Sequence, residues 1–348
     1  MPRLRPGALH LTFAALLMIG CAADAPSQAP PATDTTRDAA GVSSGAGWRV
    51  LDTANRPSAR HENALVAVDG RLYLLGGRGE RPLDIYDAAT RTWTVGTPPP
   101  LDLLHHTQAV AHAGRIWVLG ALTGKFPDEP PVPTVLIYDP SADAWSEGAA
   151  VPEARRRGAS GVAVHDGIFY LVGGLTRGHT GGFVPWLDAF DPANGAWTAL
   201  ADAPHARDHF QAAVLDGRLY AAAGRTSSQA TGEGFSLTIP AVDVYDIAAG
   251  TWSTLDAPLP TPRAGTATVA WQGRVIVMGG ESGTQTAAHD EVEAWNPATS
   301  AWETLPPLPV GRHGTQAALL DDGLHIVAGS RDRGGGPELD DHLVLPGL

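Results

Sequence analysis

Asp69-Gly70-Arg71-Leu72-Tyr73-Leu74-Leu75-Gly76-Gly77, followed by Leu83-Asp84-Ile85-Tyr86-Asp87 and then Thr92-Trp93, is the stretch on which the reading of this chain turns. A two-residue turn ending in glycine separates two short apolar runs, and β-branched and aromatic residues dominate the runs that follow. The pattern predicts four strands, a over 64–68, b over 72–76, c over 83–86 and d over 92–95. Asp87 stands where its side chain can accept a bond from backbone two residues on, closing the c–d turn without glycine.

The same unit recurs along the chain. Its turns are Asp69-Gly70, Ala113-Gly114, Asp166-Gly167, Asp216-Gly217, Gln272-Gly273 and Asp322-Gly323, spaced 44, 53, 50, 56 and 50 residues apart. Five units carry an aromatic ring (Tyr86, Tyr138, Phe190, Tyr245, Trp295), then an Asx residue, and a tryptophan seven residues past the ring (Trp93, Trp145, Trp197, Trp252, Trp302). A period near 50 marks a stacked or radial repeat. The sixth unit ends before any tryptophan, while Trp48 sits in a d-like strand, 47–51, with no a, b or c before it. Joining the two completes six blades and removes two exposed sheet edges. The predicted fold is all-β: a six-bladed β-propeller of four-stranded antiparallel blades over 47–348, closed by the N-terminal strand.

These motifs resemble the Kelch repeat, whose pattern is a Gly-Gly pair closing strand b, then Tyr-Asp, then Trp. The pair stands here as Gly76-Gly77, Gly173-Gly174 and Gly279-Gly280, and is degraded to Gly120-Ala121, Ala223-Gly224 and Ala328-Gly329. The resemblance implies the propeller but not one activity, since the family hosts interaction domains, sugar-processing enzymes and a copper oxidase. The oxidase uses a cysteine crosslinked to tyrosine. The single cysteine here, Cys21, lies outside the repeats, so that chemistry is excluded and no cofactor is expected.

A formal charge of −13 without a basic run argues against nucleic acid as a partner. Arg3 and Arg5 precede an apolar run over 8–19, which reads as an export signal spanning 1–20. Leu17-Met18-Ile19-Gly20-Cys21 resembles a bacterial lipobox, which implies cleavage before Cys21 and lipidation of its thiol. Residues 21–46 then form a Pro-, Ala- and Thr-rich tether. The expected product is an exported monomer, lipid-anchored to a bacterial membrane on its periplasmic or cell-surface side. With one cysteine it has no internal disulfide.

Antiparallel connectivity puts the a–b and c–d turns on one face and the longer b–c and d–a loops on the other, where recognition is expected. On that rim the residue ten before each turn glycine is Arg60, Leu104, Arg157, Arg207 and Arg263, with Arg312 at eleven in the last unit. Two positions after these stand Glu62, His106, Ala159, His209, Gly265 and Gly314. Arg60, His106, Arg157, Arg207, Arg263 and Arg312 are the expected ligand contacts, guanidinium forks suiting carboxylates or phosphates. Phe183 and Trp186, in a long loop, are further candidates for a sugar or peptide contact. His61, His105, His106 and His313 share the rim, but no pair has a recognised ligand spacing, so no metal site is expected. The leading function is a tethered binding module for a protein, peptide or glycan, anionic ligands included. The alternative is an exported epimerase or mutarotase of an acidic sugar, with Glu62 and His209 as candidate proton-transfer groups.

Overall fold

The computed structural model describes residues 47–226 and 228–347; the expected leader (1–20), Cys21 and the tether to residue 46 lie outside the described residues. The folded part starts with β1 (Arg49–Val50). Blade 1 is β2 (Asn63–Val68), β3 (Arg71–Gly76), β4 (Leu83–Asp87) and β5 (Thr92–Gly96). Blade 2 is β6 (Gln108–His112), β7 (Arg115–Leu119), β8 (Thr134–Asp139) and β9 (Ala144–Ala150). Blade 3 is β10 (Gly161–His165), β11 (Ile168–Val172), β12 (Leu187–Asp191) and β13 (Ala196–Ala199). Blade 4 is β14 (Ala212–Leu215), β15 (Arg218–Ala221), β16 (Asp243–Asp246) and β17 (Thr251–Thr254). Blade 5 is β18 (Ala267–Trp271), β19 (Arg274–Met278), β20 (Val292–Asn296) and β21 (Ala301–Thr304). Blade 6 is β22 (Ala317–Leu320), β23 (Gly323–Val327), β24 (His342–Leu345) and, from the other end of the chain, β1.

The closure is antiparallel, with Arg49 opposite Val344 and Val50 opposite Leu343. Trp48 anchors it: its indole donates to Pro306 O at 2.9 Å, and the ring packs on the cluster of blades 5 and 6. Trp145, Trp252 and Trp302 likewise donate to Thr97, Ala201 and Ala257 of the preceding blade. In blades 1 to 5 the strand d tryptophan also lies on the aromatic residue of strand c across the c–d pair, with centroids 4.7–5.7 Å apart. The repeat residues thus bind strand to strand and blade to blade.

The turns follow the sequence with one exception. In five a–b turns both central residues have positive φ, as Asp69 (48°) and Gly70 (74°) do, the twist that suits a two-residue hairpin. In blade 6, Leu320 pairs with Gly323, so the turn is Asp321-Asp322 and Gly323 opens the next strand. The Asx turns form as expected: Asp87 Oδ1 accepts from Ala89 N at 3.0 Å, and Asp191 and Asn296 repeat the bond.

Candidate functional site

The structure moves the five arginines off the rim surface. All are 0–1 % exposed, each running back under its own blade to an acid on, or just before, strand c: Arg60 to Asp84, Arg157 to Asp188, Arg207 to Asp243, Arg263 to Glu293 and Arg312 to Asp341. Most of their remaining donors bond backbone carbonyls of the same blade, as Arg157 does with Leu171 and Gly173, while the Nε of Arg207 and of Arg312 has no partner. Burial lowers the Arg60 and Arg157 pKa values to about 10, against the pull of Asp84 and Asp188, so both stay charged at neutral pH. A guanidinium enclosed in this way fastens strands and offers no fork to a ligand. Blade 2, which has Leu104 in place of arginine, also has Leu136 in place of the acid, and both leucines sit in one apolar cluster.

Two residues after each arginine, and after Leu104 in blade 2, the backbone adopts the left-handed conformation: Glu62 (φ 57°), His106 (51°), Ala159 (54°), His209 (51°), Gly265 (65°) and Gly314 (65°). These six positions form a ring of backbone hydrogen bonds about the axis. His106 N donates to Glu62 O, Ala159 N to His106 O, His209 N to Ala159 O, Gly265 N to His209 O and Gly314 N to Gly265 O, and Asn63 N closes the circle on Gly314 O, at 2.5–3.2 Å. Only glycine takes this conformation without steric cost. The ring therefore holds Glu62, His106 and His209 at the centre of the b–c/d–a face at some expense.

Those side chains meet others from the loops. The imidazoles of His106, His179 and His209 stand edge to face with centroids 4.7–5.0 Å apart. His179 lies in a short 3-10 turn (Gly178–Thr180) of the blade 3 b–c loop. Its Nε2 is 3.1 Å from His209 Nε2, while its Nδ1 is 2.6 Å from Glu129 Oε2. His209 Nδ1 contacts Asp208 Oδ1, and His105 Nδ1 lies 2.6 Å from His106 Nδ1. Arg78 bonds the other oxygen of Glu129 at 2.8 Å. Burial holds His106 and His209 well below the usual imidazole pKa, so both are neutral at pH 7. Burial alone would raise Glu129, but His179 and Arg78 outweigh it and bring the carboxyl down to about 2. Burial pushes Asp208 up to about 8 against the pull of Arg225. A second network flanks the first, Arg225 bonding Glu281 at 2.6 Å with His313 Nε2 3.6 Å from that carboxylate.

Of the expected site residues, the structure thus brings Glu62, His106 and His209 together and sends the arginines elsewhere. His179, Glu129 and Asp208 are added to the site. Trp186 does not stand out as a platform, since Arg155 and Arg157 lie over its ring at 4.4 and 5.6 Å. Phe183 is half-buried and pairs with Leu175 across the base of its loop.

Below the ring the axis is plugged by three glutamines. Gln108 Nε2 donates to Ala212 O, Gln211 Nε2 to Thr315 O and Gln316 Nε2 to Ala109 O, linking blades 2, 4 and 6 in a cycle. Their Oε1 atoms accept backbone N–H groups of Val162 and Ala212, Thr268, and Ala109. Above this plug, Glu62, His106, His209 and their neighbours enclose a cavity of about 40 Å³. On the opposite face the axis opens into a well of about 370 Å³ lined by Leu, Val, Ala, Thr and Gln with no ionisable side chain.

A family model described as "Attractin/LZTR1 beta-propeller" matches residues 42–288. Similar proteins include "Kelch-like protein terF" of Aspergillus terreus, 28 % identical over 295 residues, which cover 78 % of this chain and 61 % of that protein. "Kelch-like protein 40" of Xenopus tropicalis is 30 % identical over 185 residues, 51 % of this chain and 29 % of its own length. "Alpha-scruin" of Limulus polyphemus is 28 % identical over 234 residues, 64 % and 24 %. The chain therefore spans less than two thirds of these relatives. The solved structure described as "Structure of YjhT" superposes with a TM-score of 0.70 at 17 % identity, covering 83 % of this chain and 95 % of that one, a likeness of fold.

Proposed function

Because the chain belongs to the Attractin/LZTR1 β-propeller family, we propose that it is a binding module that receives a protein or peptide on its b–c/d–a face. The observation that carries this reading is the plugged axis. A cavity of about 40 Å³ is far below the roughly 300 Å³ at which small-molecule sites begin, so recognition falls to the rim above it. That rim carries Phe126, 56 % exposed and 5.2 Å from the His179 ring, and Phe235, flanked by Arg225 and Arg333 at 5.4 and 5.5 Å. Aromatic residues beside arginines are the usual anchors of protein interfaces.

Export and lipid anchoring through Cys21 belong to the same proposal and rest on the leader sequence. Two acyl signals hold a protein on a membrane more firmly than one, and a multiply acylated cysteine fits a module working at a surface. Panning a peptide library against the full chain tests the binding face. Enriched peptides should lose affinity for Phe126→Asp plus Phe235→Asp and keep it for Leu319→Asp on the opposite face. Peptides indifferent to the rim pair would overturn the assignment. Acceleration of anomer exchange in an acidic sugar by the wild-type chain, lost in Glu62→Gln, would replace it with the epimerase reading. Cys21→Ser should move the protein from the membrane to the soluble fraction; an unchanged distribution removes the anchor.

A further inference from the structure

We propose that His106, His179 and His209 form a binding site for one divalent transition-metal ion, zinc foremost, at the axial mouth of the ring. The inference goes beyond the binding module and stands whichever partner the rim receives.

The three residues come from three places in the chain, the loop entering blade 2, the b–c loop of blade 3 and the loop entering blade 4. One nitrogen of each lies within 4.8 Å of the others. His179 Nε2 and His209 Nε2 are 3.1 Å apart. Two nitrogens bound tetrahedrally to zinc at roughly 2.0–2.1 Å are about 3.3 Å apart, so little movement is needed. His106 Nε2 is buried and makes no hydrogen bond, although Glu62 Oε2 is 3.2 Å away.

The outer side of the cluster is built to orient ligands. His209 Nδ1 faces Asp208, and His179 Nδ1 faces Glu129 at 2.6 Å. The ionised Glu129 carboxylate on the distal nitrogen of His179 fixes the tautomer that leaves its Nε2 unprotonated toward a metal. Glu129 is itself held by Arg78 and by the backbone N–H of His179 at 3.1 Å. The cavity beside His106 and His209 has room for a water as a fourth ligand.

Three nitrogen donors select the ion class. Imidazole suits zinc, copper, nickel and iron, whereas calcium and magnesium require oxygen. Both oxygens of Glu129 are engaged, by Arg78 and His179, which leaves the imidazoles as the inward donors of this cluster.

The test uses the full chain carrying Cys21→Ser, which removes its only thiol. After dialysis against a chelator, zinc is titrated by calorimetry and counted by elemental analysis, and cobalt serves as a visible probe of coordination. One equivalent should bind, cobalt should give ligand-field bands of a four- or five-coordinate nitrogen site, and zinc should raise Tm. His179→Ala should weaken binding at least 100-fold and abolish the Tm rise; its place in a partly exposed loop turn keeps the variant folded, which circular dichroism checks. Asp208→Asn should weaken binding roughly 10–100-fold through the outer shell. Zinc uptake well below one equivalent in wild type, or one equivalent bound as tightly by His179→Ala, overturns the proposal.

Discussion

Arg263 is the sharpest test of whether the repeated arginines build the blade or await a ligand. All five of its N–H donors are used inside blade 5: Nε to Gly279 O and one Nη1 hydrogen to Thr261 O at 2.6 Å, the other to Glu293, and Nη2 to Val277 O and Glu291 O at 3.1 and 3.3 Å. Arg263→Met keeps most of the volume and strands the Glu293 carboxylate, which is 5 % exposed and retains only Thr261 Oγ1 at 2.8 Å. Removing one partner of a buried pair costs about 3–5 kcal/mol. A ring of about 300 residues unfolds with roughly 0.6 kcal/mol/K of entropy, so Tm should fall by about 5–8 °C. Blade 2 shows the remedy, since Leu104 and Leu136 occupy the equivalent places. Arg263→Met with Glu293→Leu should therefore recover most of the loss, an apolar pair being a fair substitute for a buried ion pair. Calorimetry and urea denaturation of the four proteins measure the cycle. If Arg263→Met melts with wild type while losing a ligand, the guanidinium is a binding group and the structural reading fails.

Three further expectations follow from the same geometry. Trp48→Ala removes the indole bond to Pro306 and part of the packing that closes the ring, and should cost about 3 kcal/mol in denaturant; an unchanged midpoint would separate β1 from the fold. His342, its ring edge-on to Tyr86 at 4.7 Å and bonded to His325 at 2.8 Å, is lowered by burial from 6.5 to about 3. The unfolded chain binds its proton first, so this contribution is complete above pH 6.5 and is lost as pH falls toward 3, at most about 5 kcal/mol; His342→Phe should flatten the loss of stability between pH 7 and 5, and an unaltered slope refutes the assignment. In the axial ring, an added Cβ at Gly265 meets nothing closer than His313 Cβ at 3.4 Å, whereas at Gly314 it meets Glu62 N at 2.9 Å. Gly265→Ala should cost about 1–2 kcal/mol from φ alone and Gly314→Ala more, as read from urea midpoints, with equal costs counting against the ring geometry.

The architecture was legible because its determinants are local. Turn glycines, Asx residues and ring-to-tryptophan spacings each act within ten residues, and the blade 1 strands fall within one residue of their expected bounds. The blade 6 turn was shifted by one because its glycine sits in the strand and not in the turn. The arginines were placed correctly along the chain and misread in role. Among the five units with an aromatic ring, the missing signal was the acid two residues before it, Asp84, Asp188, Asp243 and Glu293, which is absent only in the unit that also lacks the arginine. His106 and His209 were visible as the second residue after that position. His179 and Glu129 were not, because b–c loops of unequal length have no register that would bring their side chains to the axis.

Backbone strain, an unpaired imidazole nitrogen and ordered carboxylates meet at the axis of this molecule. Around the rest of the ring most repeat residues have partners: arginine with acid, glutamine with the backbone of the next even blade, and Trp48, Trp145, Trp252 and Trp302 with carbonyls, while the buried indole nitrogens of Trp93 and Trp197 have none. At the axis, glycine serves at two of six left-handed positions, so the backbone ring does not itself demand a side chain there. The chain nonetheless keeps Glu62, His106 and His209 at positions that cost about 1–2 kcal/mol each, and leaves His106 Nε2 and Asp208 Oδ2 without hydrogen bonds. Packing cannot account for this, since neutral imidazoles stacked on one another at 4.7–5.0 Å exchange good hydration for mediocre contacts. A cluster of such local conflicts is where function is expected. Here the conflict is among nitrogen donors converging on one point, and a bound cation resolves it.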